Sequence, residues 1–233
     1  ISDFKKLLIV GVVFLLSSLT SLLAQFGFRN ATFSLIWAIV SIVISILLVG
    51  YGLSVLKIGI DLEDEIPGFD WAKNLVDGIK CVVVSFVYFI IPAIVTSAVA
   101  FALGFGPLTK IFTQENLVVF ASGNSTQVNA LMGSIPPEVW SGLGTAILAT
   151  TAVGILLFII FGIFAEIGVC RLAKYDSLGE AFRFGEIWGD IKEIGILKVL
   201  GFLIVLSIIA SIIGVVIGLM SLMPILGIII GSL

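Results

Sequence analysis

The fold is decided by residues 143–168, LGTAILATTAVGILLFIIFGIFAEIG, an apolar run with a single charged residue, Glu166. About 20 residues of this kind, wound into a helix, cross the roughly 30 Å hydrocarbon core of a bilayer. A helix on the surface of a soluble protein would carry a polar side, and this run has no such side. The stretch therefore predicts a membrane-spanning helix.

Other runs have the same character, at residues 7–26, 32–56, 81–103 and from residue 196 onward. The third is expected to bend near Pro92. Residues 196–233 are too many for one span, because at about 1.5 Å per residue they would form a helix nearly twice as long as the hydrocarbon core is thick. Pro224 is the natural break, and the remainder would be a sixth span, either truncated or a half-helix packed against protein.

Composition supports a membrane protein and excludes several functions. Of the 233 residues, 60% are apolar and 12% are charged, and the mean hydropathy is +1.28. A net charge of −3 gives no basic surface for nucleic acid. The chain has no histidine, the commonest metal ligand and general base, and its two cysteines, Cys81 and Cys170, form no CxxC pair. No metal or cofactor is therefore predicted, and the cysteines are interpreted as small apolar fillers.

The predicted fold class is all-α: a polytopic transmembrane helical bundle with five full spans, a partial or truncated sixth, and amphipathic interfacial helices in two cytoplasmic loops. Small residues in the spans are expected to let helices approach closely. Small residues recur at every fourth position in Ala210, Gly214 and Gly218, and the same spacing separates Gly227 from Gly231.

Basic residues give the orientation. Ten of the 12 lie on one side of the predicted spans: Lys5, Lys6, Lys57, Lys73, Lys80, Arg171, Lys174, Arg183, Lys192 and Lys198. Arg29 and Lys110 lie on the other side. Because cytoplasmic loops carry the excess of lysine and arginine, the N-terminus and both charged loops are predicted to be cytoplasmic. The glycosylation acceptor patterns at Asn30 and Asn124 then fall outside.

Cysteine labelling tests this orientation in intact cells. A membrane-impermeant thiol reagent should modify a cysteine introduced at Gly123 and leave one introduced at Gly179 unmodified, because only the first loop faces outward. The reverse pattern of labelling would overturn the topology.

The outer loop, residues 105–142, is long for a connection. Residues 111–121 favour a helix lying in the membrane interface. Residues 136–140, PPEVW, are typical of a helix start, with proline in the first turn and Trp140 at the level of the lipid headgroups. We interpret the loop as a cap on the bundle, with a substrate lid as the alternative.

The two cytoplasmic loops resemble each other. The first reads GLSVLK at 52–57, FDW at 69–71 and GIK at 78–80, and the second reads GVCRL at 168–172, FGEIW at 184–188 and GILK at 195–198. Aromatic and acidic residues alternate in both, which predicts an amphipathic segment at the inner interface. The aromatic residues are Phe69, Trp71, Phe182, Phe184 and Trp188. Residues 1–233 are then one integral membrane domain, with a parallel repeat of residues 32–104 and 143–219.

A resemblance to a known family rests on these loops. The residues that carry it are EDEIPGFDW at 63–71, VDGIK at 76–80, YFIIP at 88–92, RLAKY at 171–175 and EAFRF at 180–184. They resemble the signature of an uncharacterised, mainly archaeal membrane-protein family, that of domain of unknown function 4013. The resemblance covers nearly the whole chain and implies a sixth span, but it implies no activity and no catalytic residue.

The densest charge in the chain is the acidic stretch of Asp61, Glu63, Asp64 and Glu65. It is a candidate site for a divalent cation or a basic partner, since hard cations prefer carboxylate oxygens. The stretch lacks the alternating ligands and glycine turn of a calcium loop. A solvated loop whose acids favour the start of the next helix is the other interpretation.

Glu166 is the acid predicted to lie deepest, near the inner end of its span. A structural ion pair with Lys57, Arg171 or Lys198 is expected, and a transport site is the alternative.

The chain is predicted not to be an enzyme. The acids of the second loop include Asp176 and Glu180, four residues apart, which suits the hydrated face of an amphipathic helix better than a lipid-cleaving centre. We expect a scaffold or accessory subunit whose cytoplasmic loops contact a protein partner or the lipid surface, through residues such as Trp71, Arg183 and Trp188. The alternative is a small transporter or channel for a weakly polar solute, with a polar cavity at mid-depth.

Overall fold

A computed structural model describes residues 2–17, 19–28 and 30–221. Ten α-helices make up the secondary structure of that part of the chain. They are α1 Ser2–Ser17, α2 Leu19–Gln25, α3 Ala31–Asp61, α4 Trp71–Ile111, α5 Gln114–Ala121, α6 Ser125–Ser134, α7 Pro137–Tyr175, α8 Leu178–Ala181, α9 Phe184–Ile194 and α10 Ile196–Ser221. Four of them, α3, α4, α7 and α10, are long and apolar enough to cross a membrane.

These four helices confirm the predicted runs at residues 32–56, 81–103, 143–168 and from 196 onward, and three of them are longer than predicted. The run at residues 7–26 coincides with α1 and α2, which flank Ser18, a residue outside the described ones. Neither α1 nor α2 reaches spanning length by itself, so the first span stays a prediction. The expected break at Pro224 and the partial sixth span also lie outside the described residues.

The prediction of an amphipathic helix in the first charged loop is wrong. α3 ends at Asp61 because Leu62 adopts a left-handed conformation (φ 57°), and the Glu63 N–H closes the helix by donating to the Ile58 carbonyl at 3.1 Å. Pro67 and Gly68 disfavour a new helix before the next cap.

The helix of the second loop is confirmed as α9. Its apolar face points inward, where Ile187 and Ile191, four residues apart, are almost fully buried.

Residues 87–162 form one compact unit. The predicted helix at 111–121 is present in shorter form as α5, because Thr113 caps its start by accepting a hydrogen bond from the Asn116 N–H at 3.3 Å. α7 begins at Pro137, as predicted, with proline in its first turn. Buried Ile111, Ile135 and Val139 form a small core. Phe120, Trp140 and Leu143 pack against that core.

Asn30 and Asn124 act as helix caps. Asn30 accepts a hydrogen bond from the Phe33 N–H at 2.9 Å, and Asn124 caps α6 in the same way. Capping alone explains these asparagines, whether or not they carry glycans. Gly123 precedes the second cap at φ +64°, a backbone conformation that strains a cysteine. The exposed Ser125 is therefore the better position at which to label the loop that is predicted to face outward.

A second compact unit contains residues 1–86 and the chain from residue 163 onward. Within it α1 packs on α3. The Trp37 indole N–H donates to the Leu16 carbonyl at 2.9 Å, and the Ser41 hydroxyl donates to the Ser17 carbonyl at 3.3 Å. Such side-chain hydrogen bonds to a neighbouring backbone are a common means of association between helices in lipid.

A close helix contact in this unit joins α3 to α4. A Cβ atom on Gly50 would overlap the Asn74 carbonyl oxygen, and a Cβ atom on Gly78 would overlap the Ile46 carbonyl oxygen. The two glycines thus let the backbones meet on both sides of one crossing. The glycine face expected on α10 makes no such contact in the described residues, since nothing lies within 4 Å of a Cβ at Gly214. Gly227 and Gly231 lie outside them.

Candidate functional site: ion-paired clusters of the charged loops

Four charged side chains form a closed ring at the ends of the long helices. Lys57 of α3 lies 3.2 Å from Asp77 of α4 and 3.1 Å from Asp176, which follows α7. Lys80 of α4 lies 3.3 Å from Asp77 and 2.9 Å from Asp176. Each lysine thus contacts both aspartates and each aspartate both lysines, so we name this group the lysine–aspartate square.

The lysine–aspartate square is buried on one side and open on the other. The Asp77 side chain is 4% exposed, whereas that of Asp176 is 63% exposed. Hydrogen bonds from Lys80 and then from Lys57 hold the pKa of Asp176 below its usual range. A buried carboxylate without partners would be costly, so the two lysines are what allow Asp77 to remain inside. The square therefore fastens α3 and α4 to the end of α7.

A second group of charges is organised around Arg171 of α7. Its guanidinium donates at 2.8 Å to the Glu180 carboxylate of α8 and at 2.8 Å to the Asp190 carboxylate of α9. A further N–H donates to the Glu180 backbone carbonyl at 3.3 Å, and the Tyr175 ring lies 5.3 Å below the guanidinium carbon. Arg183 contacts the other Glu180 oxygen at 3.1 Å. We name these four charged residues the arginine cluster.

The arginine cluster holds the second loop against α7. Arg171 is only 8% exposed, and next to it Leu172 and Ala181 are fully covered. One planar guanidinium meets three acceptors from two different helices, and its rigid fork of donors fixes their geometry more closely than the single ammonium of a lysine would. The second loop is consequently a fixed part of the structure.

Aromatic side chains line the first loop. The Phe69 ring stacks on Tyr51 at 5.5 Å between centroids and meets Trp71 edge-on at 4.8 Å. Tyr51 belongs to the preceding long helix, α3, and Trp71 is the first residue of α4.

The second loop has an aromatic group of its own. The Trp188 ring lies parallel to Phe164 at 6.1 Å, and Phe184 lies 6.4 Å from the same ring. Phe164 belongs to the preceding long helix, α7. The group of the first loop is centred on Phe69 of the loop, whereas that of the second is centred on Phe164 of the helix.

The predicted acidic stretch lies on the surface. Asp61, Glu63, Asp64 and Glu65 are all exposed. In the part of the chain that the structure describes, no three acidic or cysteine side chains converge in a way that could hold a metal ion. Three of these acids line a polar cavity.

Glu166 lies exposed on α7, and no ion pair to it is found within the described ranges. Two of its expected partners are used elsewhere, because Lys57 belongs to the lysine–aspartate square and Arg171 to the arginine cluster. Two of the three expected cations, Lys57 and Arg171, therefore form structural ion pairs, but with other acids.

The sequence reasoning missed Asn74 and Asp77, because it placed the start of the third span at residue 81. The signal that could have found them is Asp70, whose carboxylate caps α4 by accepting from the Lys73 N–H at 3.0 Å. A helix starting at that cap places Asn74, Asp77 and Gly78 on one face, three or four residues apart.

The fold places this chain in the class of all-helical proteins whose long apolar helices indicate a multi-pass membrane protein. Within that class, the chain belongs to the family described as protein of unknown function (DUF4013), which matches residues 33–222. The matched region includes both charged loops, and the match confirms the resemblance read from their residues. No curated protein and no solved structure matches the chain.

Proposed function

We propose that this protein is a non-enzymatic scaffold or accessory subunit of a cell membrane, with its N-terminus in the cytoplasm, and that it acts through its two charged loops. The observation that carries the proposal is the fixed position of α8 and α9. Arg171 joins both helices to α7, and Ile187 and Ile191 bury the apolar face of α9 within the chain. A loop that only connected two spans would not need such anchoring.

The exposed side of α9 has the composition of a contact surface. Phe184 is 50% exposed and Trp188 is 42% exposed. Lys192 lies 5.3 Å over the Trp188 ring, and Glu186 is exposed on the same helix. Aromatic residues within a polar rim are enriched at protein interfaces and at lipid headgroups alike. This side of α9 is therefore where a partner is expected.

The acids of the second loop support a structural role for that loop. Asp176 contacts two lysines, Glu180 contacts two arginines and Asp190 contacts Arg171. Hydrogen bonds from Lys80 and Lys57 lower the pKa of Asp176, whereas a general acid must carry a proton near neutral pH.

Site-specific photocrosslinking in native membranes tests the proposal. A photoreactive amino acid in place of Glu186, on the exposed side of α9, should give a discrete cross-linked product, and Trp188→Ala should reduce its yield severalfold because it removes the central aromatic contact. The matched control is the same amino acid in place of Glu115, exposed on α5. Absence of a product from position 186, or equal products from both positions, would contradict the proposal.

A transporter for an apolar or weakly polar solute is the second candidate, favoured by a separate cavity. Within residues 87–162, a cavity of about 280 Å³ between α4 and α7 is lined by Thr150, Thr151 and apolar side chains. Among the residues that the structure describes, the buried Thr150 hydroxyl has no hydrogen-bond partner. Solute flux into reconstituted vesicles that disappears in Thr150→Val would favour this candidate over the scaffold.

A further inference from the structure

Two different flanks of α9 adjoin its buried face. On one flank, the Phe184 and Trp188 rings lie against Phe164 of α7. On the other flank, Asp190 and Glu193 line a cavity of about 290 Å³ together with two basic residues of α7. The exposed side of α9 therefore has an aromatic flank and a charged flank.

The aromatic flank lies against a candidate membrane span. Phe164 precedes Arg171 by seven residues in α7, which corresponds to about 10 Å along the helix axis. The Trp188 ring is stacked on Phe164 with an angle of 3° between the ring planes. Trp188 thus reaches past the arginine cluster toward the apolar part of α7. Glu166 is exposed close to Phe164, and a carboxylate is tolerated where water still reaches it, so this level is the boundary of the membrane rather than its centre.

Lipid is the natural cover for two aromatic rings at this level. Phe184 is 50% exposed and Trp188 is 42% exposed. Tryptophan is enriched where spans meet the lipid headgroups, because its ring is apolar and its N–H is polar. The next candidate span, α10, begins at Ile196, two residues after α9 ends. α9 is therefore held beside the membrane through its stacked rings and through the span that follows it.

A lysine completes the aromatic flank. The Lys192 ammonium lies 5.3 Å from the centroid of the Trp188 ring, and within the described ranges no ion pair holds it. Lys192 follows Trp188 by four residues and so lies on the same side of the helix. A lysine beside a ring at this level can place its ammonium among lipid phosphates while its stem covers apolar surface. Glu186 follows Phe184 by two residues and lies nearly on the opposite side of the helix, away from the rings.

We propose that Phe184, Trp188 and Lys192 form a phospholipid-docking strip on α9. The two rings enter the headgroup boundary of the leaflet that the second loop faces, and the Lys192 ammonium donates to a lipid phosphate. Binding is non-covalent and involves no reaction. This inference deepens the scaffold proposal, on which it rests for the role of the second loop. Lipid covers the aromatic flank and holds α9 at the membrane surface, and the side that carries Glu186 is left for the protein partner.

Photocrosslinking in vesicles of pure phospholipid tests the docking strip, because such vesicles contain no protein partner. The full chain is reconstituted in phosphatidylcholine and phosphatidylglycerol with benzoylphenylalanine in place of Phe184, a change from one aromatic residue to another. The matched control carries benzoylphenylalanine in place of Glu186, which is exposed on the same helix. After irradiation, mass spectrometry should find the adduct of the chain with one phospholipid severalfold more often at position 184 than at position 186.

Variants of Lys192 test the phosphate contact with the probe at position 184. Lys192→Gln should lower the yield of the lipid adduct about twofold or more, because it removes the cation that faces the phosphates. Lys192→Arg keeps the charge and should keep the yield. Lys73→Gln removes an exposed lysine of the first loop and should leave the yield unchanged. Limited proteolysis between residues 176 and 195, unchanged from the parent chain, checks that α9 stays in place in each variant.

Three outcomes would overturn the proposal. Equal lipid adducts at positions 184 and 186 would show that α9 has no flank that faces lipid. Equal yields in Lys192→Gln and the parent chain would show that Lys192 does not meet a phosphate. A protein cross-link from position 184 in native membranes, in place of the lipid adduct, would assign the aromatic flank to a protein partner. The scaffold proposal fails by a different result, namely lipid adducts at position 184 in vesicles without any protein product from position 186 in native membranes.

Discussion

Gly78→Ala should destabilise the protein by about 3 kcal/mol or more, because the added methyl group has no room between α3 and α4. A Cβ at this position overlaps the Ile46 carbonyl oxygen. Backbone atoms cannot move aside by a change of rotamer, so the helices themselves must separate. That separation would also pull Asp77, the neighbouring residue, away from Lys57. Gly50→Ala should have a comparable effect, because its Cβ overlaps the Asn74 carbonyl on the other side of the crossing.

Gly52→Ala is the matched control for this prediction. Gly52 lies on the same helix as Gly50, but nothing stands within 4 Å of a Cβ there. Alanine is the better helix former, so this change should be neutral or stabilising by up to about 1 kcal/mol. Equilibrium unfolding in mixed micelles of rising SDS content measures all three variants. Similar stabilities for the Gly78 and Gly52 variants would show that α3 and α4 do not meet as described.

Long apolar helices were predictable because one physical requirement, the thickness of the hydrocarbon core, sets both their length and their composition. Their ends were not predictable from hydropathy. α4 begins at Trp71, ten residues before the apolar run at Cys81, because Asp70 caps it. Its charged first turns are stable because lysines neutralise Asp77. Hydropathy shows that such residues are polar, but it does not show whether they form ion pairs.

The pairing itself depends on residues far apart in the chain. Asp176 lies 119 residues from Lys57 and 96 residues from Lys80. A single sequence does not indicate which charged residues so far apart in the chain will form ion pairs. Glu166 was favoured as an ion-pair partner because it is the acid within an apolar run, yet it lies exposed. Contact across the folded chain, rather than depth in a span, decides which charges pair.

The likeness between the two loops is also only partly structural. Each loop has a phenylalanine and a tryptophan in an aromatic group, but Trp71 meets Phe69 of its own loop, whereas Trp188 meets Phe164 of the preceding helix. The parallel repeat stays a prediction. The two glycines that the sequence pattern aligns, Gly78 and Gly195, have different structural roles. Gly78 lies within α4 at a close helix contact, whereas Gly195 stands between α9 and α10 at φ +95°, a conformation that favours glycine.

Arg171→Met should destabilise the protein by about 2–4 kcal/mol, near the range for breaking a buried ion pair. Methionine keeps the length of the side chain but removes every hydrogen bond that Arg171 donates to Glu180 and Asp190, which leaves Glu180 with Arg183. The Glu180 and Asp190 side chains are 20% and 38% exposed, so water would only partly replace the lost donors. α8 and α9 should detach first, because Arg171 is what joins them to α7. Limited proteolysis between residues 176 and 195 would detect that detachment.

Arg183→Met separates this effect from a general loss of positive charge. Arg183 is 61% exposed, and in the described part of the chain it is ion-paired with Glu180 only, so its removal should cost less than about 1 kcal/mol. A triple variant, Arg171→Met with Glu180→Gln and Asp190→Asn, should recover much of the stability, since it removes the stranded carboxylates together with their cation. If Arg171→Met and Arg183→Met proved equally mild, the second loop would be held by Ile187 and Ile191 alone. The arginine cluster would then determine where α9 lies on α7 without adding to the stability of the protein.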